Sequence, residues 1–203
     1  RVLRGMLSAG GLILLCGLLG AHADGVVVSV DRTTQDWSDL AMGPPSAEDD
    51  ADQSRNVNAV FSYVPGFGKP HVDAGASGSR LPRLNDGKSA VTSDDPGNST
   101  WFDTKGNSRV MLDLGTSLEL ARIHVFSWHS GALSPQRYTL WAAEGESAPA
   151  AEPADLARLW KKVAEVDTTS LGEGGKHGSS IHAPDGWIGR YRYLLFDLPA
   201  NKP

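Results

Sequence analysis

Cysteine is nearly missing from this chain: Cys16 is the single one among 203 residues. One cysteine cannot close an intrachain disulfide or supply the paired thiolates of a zinc site. Positive charge is also short, with 19 Lys and Arg against 24 Asp and Glu, a net charge of -5 and a pI near 5.6. That balance leaves no basic face to neutralise phosphates, so nucleic acid is excluded as an expected partner. There is no P-loop, HExxH or GxSxG pattern, and no repeat at a solenoid or propeller period. Long apolar runs are missing beyond the first residues, so no membrane span is expected once those are removed.

Those first residues, RVLRGMLSAGGLILLCGLLGAHADG, have an Arg-bearing start, an apolar centre from Leu7 to Leu19, and the triplet Ala21-His22-Ala23 before Asp24. This is the layout of a secretory signal peptide over 1–23. Cys16 follows Leu14 and Leu15, not the small residues of a lipoprotein cleavage site. The expectation is a secreted protein, or one held in a bacterial envelope or periplasm, without disulfides. Residues 24–55 form a second segment: a strand-like run, GVVVSV, then MGPPSAEDDADQS, whose prolines and acids describe a solvated linker. This segment is expected to pack little.

From Asn56 to Pro203 short apolar runs alternate with turn-rich segments. The runs are NVNAVFSYV, RVMLDLG, LELARIHVFSW, RYTLWAA, LWKKVAEVD and GRYRYLLFDL; between them stand PGFGKP, DAGASGS, DDPGNS, GEGGK and APDGW. Several runs alternate with the strand period: Ile123 and Val125 should face one way and His124 the other, and Tyr191 and Tyr193 should share a face. In PADLARLWKKVAEV, Pro153 opens a short helix that gives way to a strand. With no βαβ alternation, the fold class is all-β, an antiparallel β-sandwich or jelly roll.

Two stretches carry candidate chemistry. RLNDGKSAVTSDDPGNSTWFD, residues 83–103, begins with a tight Asp86-Gly87 turn and holds Asp94, Asp95 and Asp103 with the hydroxyl of Thr92. Such oxygens suit Ca²⁺, which takes about six to eight of them, and they equally suit a solvated loop of Asx-turns. VFSWHSGALSPQRYTLW, residues 125–141, sets Trp128 and Trp141 around a polar bend with His129, Gln136 and Arg137. The tryptophans are expected in the core.

Together these phrases resemble a known family. NDG, a polar loop ending in Trp101-Phe102, RVMLDLGTSLELARIHVFSWHSG, PQRYTLWAAEG and YRYLLFDL occur in the order found in discoidin domains, also called coagulation factor V/VIII type C domains, of the galactose-binding-like superfamily. The resemblance covers roughly 56–203 and is nearest an exported bacterial subgroup. It implies an eight-stranded jelly roll that binds glycans, lipid head groups or proteins through loops at one end, without catalysis. It also implies a structural Ca²⁺ held by Asp86, by carbonyls near it such as those of Leu84 and Lys88, by Thr92, and by a Glu near the last strand. The chain departs from that pattern at Lys88, where an Asp or Asn is common. It also stops at Asn201-Lys202-Pro203 before a strand bearing that Glu, so a sandwich lacking its last strand is expected, its edge filled by GVVVSV or, the favoured reading, the chain being a fragment of a longer protein.

The function expected is noncatalytic recognition of a glycan or cell-surface polymer through one loop end, with His129, Gln136, Arg137, Trp101 and His177 as ligand contacts. Asn98 and Trp187 stand in neighbouring loops. Sugars offer directional hydroxyls and apolar C–H faces, which these side chain types match. The alternative is a protein-binding or adhesion module that positions an attached envelope protein or enzyme. A hydrolase built on Asp94-Asp95 and His129 is the third reading, but adjacent loop carboxylates do not set the separation that two-carboxylate catalysis needs.

Overall fold

The computed structural model describes residues 25–45, 56–65, 67, 81–93, 95, 97–100, 102, 106–184 and 186–200. The leader over 1–23, most of the acidic linker, Asp94, Trp101 and Asp103 lie outside the described residues. Within them are eight strands: β1 (Val27–Thr33), β2 (Val60–Tyr63), β3 (Ser108–Leu120), β4 (Arg122–His129), β5 (Arg137–Ala143), β6 (Lys161–Asp167), β7 (Gly175–His182) and β8 (Gly189–Leu198). One α-helix, α1 (Pro153–Leu159), precedes β6.

The strands pair antiparallel into a three-stranded sheet, β1-β7-β4, and a five-stranded sheet, β2-β3-β8-β5-β6. The protein is an all-β antiparallel sandwich, as its alternation indicates. Most connections pass from one sheet to the other, the wrapping of a jelly roll; β2 to β3 and β5 to β6 stay within the larger sheet. Ile123 and Val125 pack on the core between the sheets with Leu112, Leu114, Leu140, Val163 and Ile181. Leu140 and Ile181 are fully buried, each stabilising the fold by about 1.5–3 kcal/mol. His124 points outward and meets Phe126 edge-on at 6.1 Å, as the strand period requires.

Three expectations are corrected. GVVVSV does not pack little: Val26 belongs to the core, and β1 pairs with β7 from Val27↔His182 to Thr33↔Lys176 at the edge of the smaller sheet. The turn-rich segment GEGGK runs on into a strand: GKHGSSIH, poor in β-forming side chains, is β7, at the centre of that sheet. Its small residues let other chain segments approach. A Cβ at Gly178 would lie 2.5 Å from Met42 Sδ and 3.2 Å from Leu40 Cδ1, so residues 40–42 lie across the outer face of β7. Finally, Tyr191 and Tyr193 do not share a face. The β3–β8 register breaks between Asp113 and Leu118, sending Tyr191 into the inter-sheet core and Tyr193 into a second apolar cluster.

That second cluster covers the outer face of the larger sheet. α1 starts at Pro153, whose missing N–H costs nothing at the first helical position, and Leu156 packs from it onto Trp160, Tyr193 and Leu195. At the rim, Arg109 is nearly buried. Its Nε and Nη2 donate to the Asp197 carboxylate at 2.7 and 3.0 Å, Nη1 donates to the Ala151 carbonyl at 2.6 Å, and the guanidinium sits 4.0 Å over the Phe67 ring. Removing the carboxylate would strand this charge. Asp197→Ala should therefore lower the unfolding free energy in urea by roughly 3 kcal/mol, and the double substitution Arg109→Met, Asp197→Leu should recover much of that loss.

Candidate functional site

Loops 34–40, 130–136 and 168–174 meet at one end of the sandwich. The β4–β5 loop is folded onto the carbonyl of Gly131, which accepts from Ser134 N and Oγ at 3.0 Å each and from Gly174 N at 3.2 Å. The last of these bonds ties the β4–β5 loop to the β6–β7 loop. Arg32 of β1 ties in from the side, donating to the Gly174 and Glu173 carbonyls at 2.7 and 2.8 Å.

Beneath the loops lies a buried polar network. Gln136 Nε2 donates to the carbonyls of Val125 and His177 at 2.9 and 3.0 Å, and Gln136 Oε1 accepts from Ser179 Oγ at 2.6 Å. Ser179 Oγ also meets Tyr138 Oη at 2.9 Å. Thr168 Oγ1 accepts from Gln136 N at 2.8 Å and pairs with His177 Nδ1 at 3.0 Å. Burial pushes the Tyr138 phenol well above its ordinary value, with the Ser179 bond opposing, so it stays a neutral hydroxyl. Burial likewise lowers His177, opposed by the Gly174 backbone and helped by the Arg32 charge, while its Nε2 has no bond of hydrogen-bond geometry among the described residues.

On the outer face of the smaller sheet, Trp37 meets Phe126 and Trp128 edge-on, each at 5.9 Å, and its Nε1 donates to the Ala90 carbonyl at 3.0 Å. Lys176, opposite Trp128 in the register, sits with its ammonium 4.2 Å over Trp128 and 5.6 Å over Trp37, and donates to the Gln35 carbonyl. The sequence reading missed Trp37 and Lys176. The only available signal was the alternation of His124, Phe126 and Trp128, which marks an outward aromatic row without saying what covers it.

The expected ligand contacts separate. His129 ends β4 half-buried, its Nδ1 accepting from Gly131 N at 2.8 Å. Arg137 is exposed and makes one loose ion pair with Asp167 at 3.6 Å, which in water leaves its guanidinium available. Gln136 and His177 are inside, 6% and 0% exposed, with bonds that hold strands together instead of facing a ligand. Trp128 is half-buried in the outer aromatic cluster, and Trp141 packs partly buried in the second apolar cluster. Asn98 donates from Nδ2 to Asp95 at 3.0 Å, and Trp187 is 56% exposed.

The calcium donors fit poorly. Leu84 ends a 3-10 turn, Lys88 and Thr92 are exposed, and Asp86 Oδ1 accepts from Lys88 N at 3.1 Å in a self-contained Asx-turn. Asp95 is turned inward and accepts from Asn98 Nδ2, Val91 N and Gly97 N at 2.8–3.1 Å, bonds that hold its carboxyl below the usual range. Among the described residues the turn thus offers one carboxylate beside a lysine, too little for a doubly charged ion.

No protein-family model and no curated protein matches the chain. Among solved structures it is similar to the Clostridium perfringens CpGH89CBM32-5 module in complex with GalNAc-β-1,3-galactose, at 17% identity over 70% of this chain and 96% of that one, with a TM-score of 0.36. It is also similar to a mutant of the Ruminococcus gnavus GH29 fucosidase E1_10125 in complex with fucose, at 12% identity, 75% of this chain and a TM-score of 0.31. The chain spans 28% of that fucosidase. Scores this low transfer no function.

Neutral His177 makes the fold acid-sensitive. Its folded pKa lies below the ordinary value of about 6.5, so below that pH the unfolded chain takes up a proton that the folded chain refuses. Stability should be at its full value above pH 7 and fall as the pH drops through 6.5 toward the folded pKa. Chemical denaturation between pH 7.5 and 5 should show this slope, and His177→Gln should flatten it.

Proposed function

We propose that this protein is a noncatalytic binding module that recognises carbohydrate through the loop end bearing His129 and Arg137. The observation that carries the reading is that this end is held from beneath by the Gln136 network while Arg137 stays exposed and His129 half-exposed. A preorganised end with a guanidinium fork and an imidazole suits the directional hydroxyls of a sugar without an ordering cost. Binding is favoured over hydrolysis because His129 Nδ1 and both oxygens of Asp95 are engaged by loop donors. A glycan or cell-surface polymer is the proposed partner, outside the cytoplasm, in the secreted or envelope compartment that the leader-like residues 1–23 suggest. Ala132 and Leu133, exposed at the loop tip, favour the second reading, a protein-binding or adhesion surface.

A glycan array, followed by titration of the strongest hit, separates the two readings. The expected result is binding that Arg137→Ala and His129→Ala each weaken about tenfold, equivalent to ~1.4 kcal/mol, with unchanged near-ultraviolet circular dichroism. Glycan binding indifferent to both substitutions would remove the proposed site, and no glycan signal beside a specific protein partner would favour adhesion. EDTA should leave the melting temperature unchanged, given the sparse donors of the Asp86 turn; a fall with co-purified calcium would restore the metal.

A further inference from the structure

The opposite end of the sandwich carries a concavity of about 350 Å³. It exists because β3 holds residues 114–117 against Arg192 alone, where the β3–β8 register breaks. Gly115 makes this bulge possible. Its φ is +79°, and a Cβ there would lie 2.4 Å from Asn58 Cβ, so any other residue would be both strained and obstructed.

The frame is rigid. Arg192 Nε and Nη2 donate to Asp113 at 2.8 and 3.0 Å, holding the carboxyl below its usual range, and Nη1 donates to the Glu146 carbonyl at 2.9 Å. The same carbonyl accepts from Tyr193 Oη at 3.0 Å, which fixes the turn after β5. Asp113 Oδ1 also accepts from Gly115 N at 2.8 Å.

Against this frame stand side chains that its hydrogen bonds leave open. Arg190 and Glu146 both line the concavity. Among the described residues neither side chain is held by a hydrogen bond or close ion pair, and the Glu146 charge acts on Arg192 only through space. Thr116 and Ser117 complete the wall. A fork of donors, a pair of acceptors and two hydroxyls that do both are set around one polar space, with the positive and negative charges in balance. An anion would meet Glu146, with the Asp113 carboxylate behind Arg192; a cation would meet both arginines. A neutral ligand with adjacent hydroxyls meets no net repulsion, since Arg190 can donate to two of its oxygens while Glu146 accepts from their protons. Among the described residues no aromatic side chain lines the space, so recognition would run through the polar edge of a ring and not through stacking.

We propose that this concavity is a second binding site, for the vicinal hydroxyls of a neutral sugar, at the end remote from His129. The proposal stands on its own lining and holds even if the His129 end binds protein. Two sites at opposite ends would let one molecule bridge two glycan chains, raising avidity without new contacts.

The test is amide NMR titration of the chain with methyl glycosides of glucose, galactose and mannose, and with glucuronic acid and glucosamine as charged controls, up to ~50 mM, where a millimolar site fills. The expected result is shifts at the amides of 115–117, 145–146 and 190–192 with at least one neutral glycoside. Arg190→Gln and Glu146→Gln should each reduce that affinity about tenfold, while Arg137→Ala leaves it unchanged. Both substituted side chains are exposed, so melting temperatures should hold. Silence at these amides with every neutral glycoside, stronger binding of glucuronic acid or glucosamine than of any neutral one, or shifts insensitive to both substitutions would overturn the proposal.

Discussion

Everything at the His129 end depends on the buried amide of Gln136. Apolar contact holds two sheets together but is indifferent to small slides between them, whereas hydrogen bonds are directional. The Gln136 side chain reaches from the start of β5, in the larger sheet, to carbonyls of β4 and β7 in the smaller one. Ser179, Tyr138, Thr168 and His177 complete the set, so nearly every polar atom brought inside finds a partner. Left unpartnered, each would cost about 1–3 kcal/mol. The pairing therefore fixes how the sheets meet and where β4 delivers His129.

The two ends of the sandwich solve different problems. At one, long loops are drawn together by the Gly131 carbonyl and Arg32, over a polar interior. At the other, an irregular ladder is held open by Asp113, Arg192 and a glycine conformation. The outer faces are also covered, one by residues 37–42 with Trp37 wedged against Phe126 and Trp128, the other by α1 and Trp160. With both faces occupied, the ends are the natural places for ligand recognition.

The fold was legible in the sequence wherever alternation was regular. Ile123, Val125 and His124 face as their spacing indicates, and the change from Pro153 helix to β6 strand was readable because proline and helical spacing mark it. Legibility failed where tertiary pairing overrode local pattern. β7 is written in glycine, serine and histidine, which read as a loop; its place between β1 and β4 makes it a strand. Tyr191 and Tyr193 look like one face until a bulge in the partner strand splits them. Gln136 and His177 looked like ligand contacts because polar residues beside a bend usually meet water. Only the crossing of strands β4, β5 and β7, distant in the chain, shows that they meet each other instead. Arg190 and Glu146 carried no motif at all, since their concavity comes from a register break that no local spacing records.

The most direct test of this account is the unfolding free energy of Gln136→Leu, measured in urea beside the parent protein. The substitution keeps the volume and removes the amide, taking the Gln136 donor from the carbonyls of Val125 and His177 and leaving the Ser179 hydroxyl with Tyr138 alone. The account predicts a loss on the order of 3 kcal/mol together with faster hydrogen exchange across residues 129–136. Stability within ~0.5 kcal/mol of the parent, with exchange unchanged in that loop, would contradict it.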